Sequence, residues 1–244
     1  MKKIIFTLFI VSILVSCKQE KQPNAQDIID TSIKVTGGDI IAVSTIDFDF
    51  RDKHYKAIRN NGTFQLEREF KDSATIIKDV YTNTDFKRFV NNDAIIIHDS
   101  MAIKYTNSVN SVHYFSVLPY GLNDPAVNKT YVGEEIIKEK AYHKIKVTFN
   151  QENGGKDFED VFLYWINTET NKMDYLAYSY ITDGGGMRFR EAYNERYVKG
   201  IRFVDYNNYK PINKDVDLLD LGRLFEINEL KLLSKIETEN VLVK

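Results

Sequence analysis

Three features of the sequence predict a mainly β fold with a few helices. Apolar residues recur at every second position over most of the chain, the gaps between these runs are short and carry turn residues, and no helical pattern falls between successive strands. Short gaps favour hairpins, so neighbouring strands are expected to be antiparallel. The missing helices argue against βαβ units, hence against Rossmann and TIM-barrel folds and against Schiff-base lysine chemistry on such a barrel.

The first structured element is a helix. Asn24 can cap it, Asp27 suits its first turn, Ile28, Ile29, Ser32, Ile33 and Thr36 share a face, and Gly37-Gly38 can stop it. From Thr45 the period changes to two, with Ile46, Phe48 and Phe50 alternating against Asp47, Asp49 and Arg51. Further strands are expected over 54–60, 63–70, 74–82, 85–90 and 94–98, separated by Asp52-Lys53, Asn61-Gly62, Asp72-Ser73 and Asn91-Asn92-Asp93. Met101, Tyr105, Ser108, Val112 and Phe115 then follow at helical spacing, with Asp99 or Ser100 as the cap, and Leu118-Pro119-Tyr120-Gly121 ends that helix. A second meander is expected over 130–138, 141–149, 158–166, 172–181, 187–197 and 201–210. A short helix near 218–226 and one last strand near 230–239 complete the chain.

Composition narrows the function classes. The 33 basic and 35 acidic residues form no basic block, which argues against nucleic acid as partner. Cys17 is the only cysteine, so neither a disulfide nor a Cys-ligated metal is expected. His54, His98, His113 and His143 are too far apart for a metal motif, and neither a metal nor a cofactor is expected. Asp215 and Asp217 resemble the start of a calcium loop, but Leu219 stands at an oxygen-ligand position and Asp220 where the turn needs glycine. Asp183-Gly184-Gly185-Gly186 lies between strands and reads as a hairpin connection, not a phosphate cradle. The aromatic series Phe158, Phe162, Tyr164, Trp165, Tyr175, Tyr178, Tyr180, Phe189 and Tyr193 on three successive strands indicates a large interior or a cavity wall.

The N-terminus has the pattern of an export signal. Lys2 and Lys3 precede an apolar run from Ile4 to Val15, well short of the roughly 20 residues that span a bilayer. Leu14-Val15-Ser16-Cys17 resembles the bacterial lipobox, which implies a signal peptide over residues 1–16 and acylation of Cys17. Residues 17–24 would then be a lipidated tether and 25–244 a single domain, a monomer attached to a membrane through Cys17. Lys18 is not the aspartate that commonly signals inner-membrane retention, so the outer membrane is expected.

The domain itself resembles a family of uncharacterised Gram-negative lipoproteins with a shape like that of the Lol lipoprotein carriers. The resemblance is carried by Ile28-Ile29-Asp30 with Gly37-Gly38, by Asn110-Ser111-Val112-His113-Tyr114-Phe115 through Leu118-Pro119-Tyr120-Gly121-Leu122, and by Tyr178 to Gly186 with Arg188-Phe189-Arg190. It implies a curved, half-open antiparallel β-barrel with helices plugging the concave face, and a non-enzymatic protein that binds a hydrophobic ligand or acyl chain. Met101, Tyr105, Val112, His113, Phe115, Trp165, Tyr178, Tyr180, Arg188 and Arg190 are the expected ligand-binding residues, with the segment from Ser100 to Leu118 as a lid. Two alternatives stand beside it: a hydrolase using His113, Asp183, Arg188 or Arg190 at the cavity mouth, and a structural envelope protein with a filled core.

Overall fold

The computed structural model describes residues 23–152, 159–181 and 184–244. Helix α1 (Ala25–Val35) starts as expected, with the Asn24 side chain accepting a hydrogen bond from the Gln26 N–H at 2.9 Å. The one-turn helix α2 (Gly38–Ile41) follows Gly37, whose φ of +91° lets the chain turn against the backbone of Gly200. A Cβ at Gly37 would lie 2.5 Å from the Gly200 carbonyl oxygen, so this position requires glycine.

Six strands then run as a meander: β1 (Thr45–Phe50), β2 (Lys53–Asn60), β3 (Thr63–Asp72), β4 (Thr75–Thr82), β5 (Phe86–Val90) and β6 (Asp93–Ile95). Positive φ at Asn61, Gly62, Asn91 and Asn92 forms two of the expected tight turns. The strand expected over 94–98 is shorter than predicted. His98 leaves the sheet and caps helix α3 (Asp99–Ser116), in place of Asp99 or Ser100.

The second meander comprises β7 (Val127–Ile137), β8 (Lys140–Phe149), β9 (Val161–Asn167), β10 (Met173–Tyr180), β11 (Gly186–Val198) and β12 (Ile201–Pro211). Leu218–Asp220 forms a 3-10 turn that leads into α4 (Leu221–Glu226). The final stretch differs from expectation: it is two strands, β13 (Leu230–Ile236) and β14 (Glu239–Val243). β13 pairs with β12 while β14 pairs with β1, so the chain crosses between sheets at Glu237-Thr238. The crossing is anchored by Asp205, whose carboxylate accepts the Thr238 N–H at 3.0 Å, and by Arg196, which donates to the Thr238 hydroxyl at 2.7 Å.

Two seven-stranded antiparallel sheets result, in the orders β14-β1-β2-β3-β4-β5-β6 and β13-β12-β11-β10-β9-β8-β7. They form a half-open, mainly β architecture. The principal core lies between them, where Ile28 and Ile29 of α1, Phe48 of β1 and Val112 of α3 meet Ile145, Tyr164, Leu176 and Tyr206 of the second sheet. A second core covers the opposite face of the second sheet, where Leu218, Leu221 and Leu224 pack on Leu163, Trp165, Tyr175 and Phe189. Alternation therefore splits the aromatic series: Phe162, Tyr164 and Tyr178 face the intersheet side, while Trp165, Tyr175 and Phe189 face α4. Burial on both faces explains why β9 is an almost unbroken apolar run, Val161-Phe162-Leu163-Tyr164-Trp165-Ile166.

Candidate functional site

Between α3 and the second sheet lies a cavity of about 520 Å³, within the roughly 300–1,000 Å³ range of small-molecule sites. Exposed Arg51, Asn110 and Ser111 mark its solvent side, and buried Leu118, Leu176 and Ile236 its inner side. Its wall is built by cross-strand pairing. Tyr164, Leu176, Arg190, Asn208 and Ser234 are successive register partners on β9 to β13, so their side chains stand in one row on the concave face. A parallel row begins with Phe162 and Tyr178, whose rings stack at 5.3 Å. Phe149, edge-on to Phe162 at 5.7 Å, and Phe115 from α3 complete an aromatic enclosure.

One cation faces this enclosure from the sheet. The Arg190 guanidinium lies 5.4 Å from the Phe115 ring centroid and 5.3 Å from that of Tyr178, and one of its nitrogens donates to the Tyr178 hydroxyl at 3.2 Å. Among the described residues its buried Nε has no hydrogen-bond partner. Asp160 and Arg51 are the other charged residues of the lining.

The expected site residues are thus divided. Val112, Phe115, Tyr178 and Arg190 line the cavity together. Tyr180 and Arg188 lie beside it toward the β10–β11 turn, with Arg188 over the Tyr180 ring at 5.1 Å. Met101 and Tyr105 do not reach it. An 18-residue helix is about 27 Å long, so its single apolar stripe crosses different surroundings. Met101 is exposed, whereas Tyr105 stacks on Arg88 of the first sheet at 3.4 Å. Trp165 projects to the other face, where its indole N–H donates to Glu135 at 2.9 Å and its ring meets Phe189 at 5.5 Å.

His113 is a core residue. It is 1% exposed, lies edge-on to Phe48 and Tyr55, and its Nε2 donates to the Glu67 carbonyl at 2.9 Å. Burial pushes its pKa down to about 3, so it is neutral at ordinary pH. The arrangement holds His113 against the first sheet and Arg190 against the second, with no hydrogen bond or ion pair between them. Cys17 and Asp183 lie outside the described residues. Among those residues no group of three or more His, Cys, Asp or Glu is placed to hold a metal.

Sequence reading missed Tyr114, Leu176, Asn208, Ser234 and Ile236 as lining residues. Residue alternation tells which face each occupies, but which strand positions stand side by side depends on register, and a bulge separates Asn208 from Tyr209 in the β12–β13 pairing.

One solved structure supports the fold. A DUF1329 family protein from Desulfovibrio piger ATCC 29098 superposes with a TM-score of 0.53 at 11% identity, over 89% of this chain and 92% of that one. A LolA superfamily protein from Nitrosomonas europaea gives a TM-score of 0.47 at 10% identity, over 90% and 91%. No match is found among the curated proteins. At the level of sequence, a family profile covers the signal-like N-terminus and all but the last few residues: over residues 2–238, this chain belongs to the family of unknown function DUF6503.

Proposed function

We propose that this protein is a non-enzymatic lipoprotein, held in the outer membrane by acylation at Cys17, that binds a hydrophobic ligand or acyl chain between α3 and the second sheet. The observation that carries the reading is the cavity, walled by Phe115, Phe149, Phe162, Leu176 and Tyr178. A surface so rich in apolar and aromatic groups gains by covering itself, at about 25 cal/mol per Å² of apolar area removed from water. A filled core would leave no such space, and His113, the histidine a hydrolase would use here, points its donor at a backbone carbonyl on the first sheet.

The signal-like segment and Lys18 support the envelope location. Two or three acyl chains on one cysteine would make attachment nearly permanent, so the protein would act as a fixed receptor or binding protein. Native mass spectrometry of protein purified from its own envelope tests the reading. A co-purifying lipid, lost in a variant that fills the cavity such as Ser111→Trp, is the expected result; a bare protein mass that stays unchanged on addition of fatty acids would refute it.

A further inference from the structure

At and behind the inner wall of the cavity, buried polar atoms are incompletely paired. Among the described residues, ten buried side-chain nitrogen and oxygen atoms lack a hydrogen-bond partner, and five belong to this one region: the hydroxyls of Tyr114, Tyr164 and Tyr206, Nε of Arg190 and Oδ1 of Asn208. Buried polar groups are normally paired, and leaving one without a partner is costly. A bound group that pairs with those at the cavity removes that cost.

The five share a locality. Tyr164, Arg190 and Asn208 stand in one cross-strand row, and Tyr206 lies two residues before Asn208 on β12. The Tyr114 and Tyr164 hydroxyls lie close enough to hydrogen-bond each other, so that pair is partly satisfied, and both Tyr164 and Tyr206 feel the charge of Arg190. Burial raises the pKa of Tyr114 and Tyr206 to about 12 and holds that of Tyr164 well above its ordinary value, so all three remain hydroxyls. Asn208 donates to the Ser234 hydroxyl at 3.2 Å, and since that hydroxyl can give or take a proton, the amide can equally turn its NH2 inward. The Tyr114 O–H, one N–H of the Arg190 guanidinium and an invertible amide make the inner end of the cavity rich in donors.

From this geometry, and resting on the cavity-binding reading above, we infer that the ligand is a single-chain carboxylate, a fatty acid bound head first: its carboxylate on Arg190 Nε, the Tyr114 hydroxyl and the Asn208 amide, its chain along Phe115, Phe162 and Tyr178. Acceptor oxygens complement donors, and a carboxylate pairs with the Arg190 guanidinium at the inner end of the cavity. The aromatic rings that flank Arg190 keep its charge directed inward and supply the apolar wall for the first methylenes.

Equilibrium dialysis of the full chain against radiolabelled dodecanoate, 1-dodecanol and dodecyl phosphate tests this. Dodecanoate is expected to bind at least about tenfold more tightly than 1-dodecanol. Arg190→Met should remove most of that preference, lowering the acid's affinity far more than the alcohol's. Tyr114→Phe, which keeps the ring and deletes a hydroxyl on the cavity lining, should weaken dodecanoate more than 1-dodecanol. Equal binding of acid and alcohol by the native chain would overturn the head-group assignment while sparing the cavity reading, and tighter binding of dodecyl phosphate would overturn the carboxylate. Equal loss of both ligands in Arg190→Met, with native melting, would reduce Arg190 to a packing role and overturn the inference. No binding of any of the three would remove the cavity reading as well.

Discussion

Asp79 shows how one buried charge can organise a surface. It is fully buried on β4, and its register partners on either side are Arg68 and Arg88. Arg68 reaches it at 2.6 Å and Arg88 at 2.6 Å, while Arg68 also donates to Ser108 of α3 at 2.7 Å and Arg88 stacks on Tyr105. Removing the shared carboxylate leaves two cations facing each other under a helix. Asp79→Ala is therefore expected to cost about 3–5 kcal/mol in urea unfolding; a loss below 1 kcal/mol would show the triad to be dispensable. His113 carries a second residue-scale expectation. Its folded pKa is about 3, below the value near 6.5 of a free imidazole. Between those values the unfolded chain binds a proton that the folded chain refuses, so its contribution to stability is complete above pH 6.5 and is lost as the pH falls toward 3. Comparing native protein with His113→Phe by urea titration should give a difference in slope approaching about 1.4 kcal/mol per pH unit over that window, and parallel profiles would contradict a neutral buried imidazole.

At the scale of elements, α3 and α4 make a controlled comparison: α3 packs on β3, β4 and β5 and faces the second sheet across the cavity, whereas α4 packs directly on the other face of that sheet. Phe115 of α3 borders empty space, so Phe115→Ala should cost less than the about 3–5 kcal/mol of a fully packed phenylalanine, while changing dodecanoate binding severalfold. Leu221 of α4 is fully buried in the other core, so Leu221→Ala should cost about 2–5 kcal/mol and leave dodecanoate binding unchanged. The reverse pattern would place the ligand under α4. Both helices were legible in the sequence because their apolar spacing is a local property. What the sequence did not disclose was the target of each stripe: Met101 and Tyr105 have the same periodicity as Val112 and Phe115, yet only the latter pair meets the cavity. Trp165 was assigned to the wrong face for a related reason. In β9 both parities are apolar, and an unbroken run cannot say which side holds the cavity.

For the whole molecule, the division into two sheets was the feature the sequence hid most completely. The last stretch reads as one apolar strand, and only the hydrogen bonds of Thr238 reveal the corner that sends β14 across to β1. Asp205 holds that corner while also receiving Arg196 at 3.2 Å and Asn194 at 2.6 Å. Asp205→Ala should therefore loosen both sheets together, with a loss of about 3–5 kcal/mol in a single cooperative transition. Two separate transitions by circular dichroism would instead mean that the sheets are independent units.

The same corner sets an order of events. Asp49 of β1 is hydrogen-bonded to Asn240 of β14, 191 residues further along the chain, so the earliest-made strand is bordered by the latest-made one. While the ribosome is still producing the second meander, β1 presents an unpaired backbone edge and the hydrophobic side of Phe48 and Phe50 without their final neighbour. Pairings over such distances in sequence close slowly. The sheet of β1 thus keeps an open, adhesive border until β14 docks, so closing it is the step that ends the chain's exposure to edge-to-edge association.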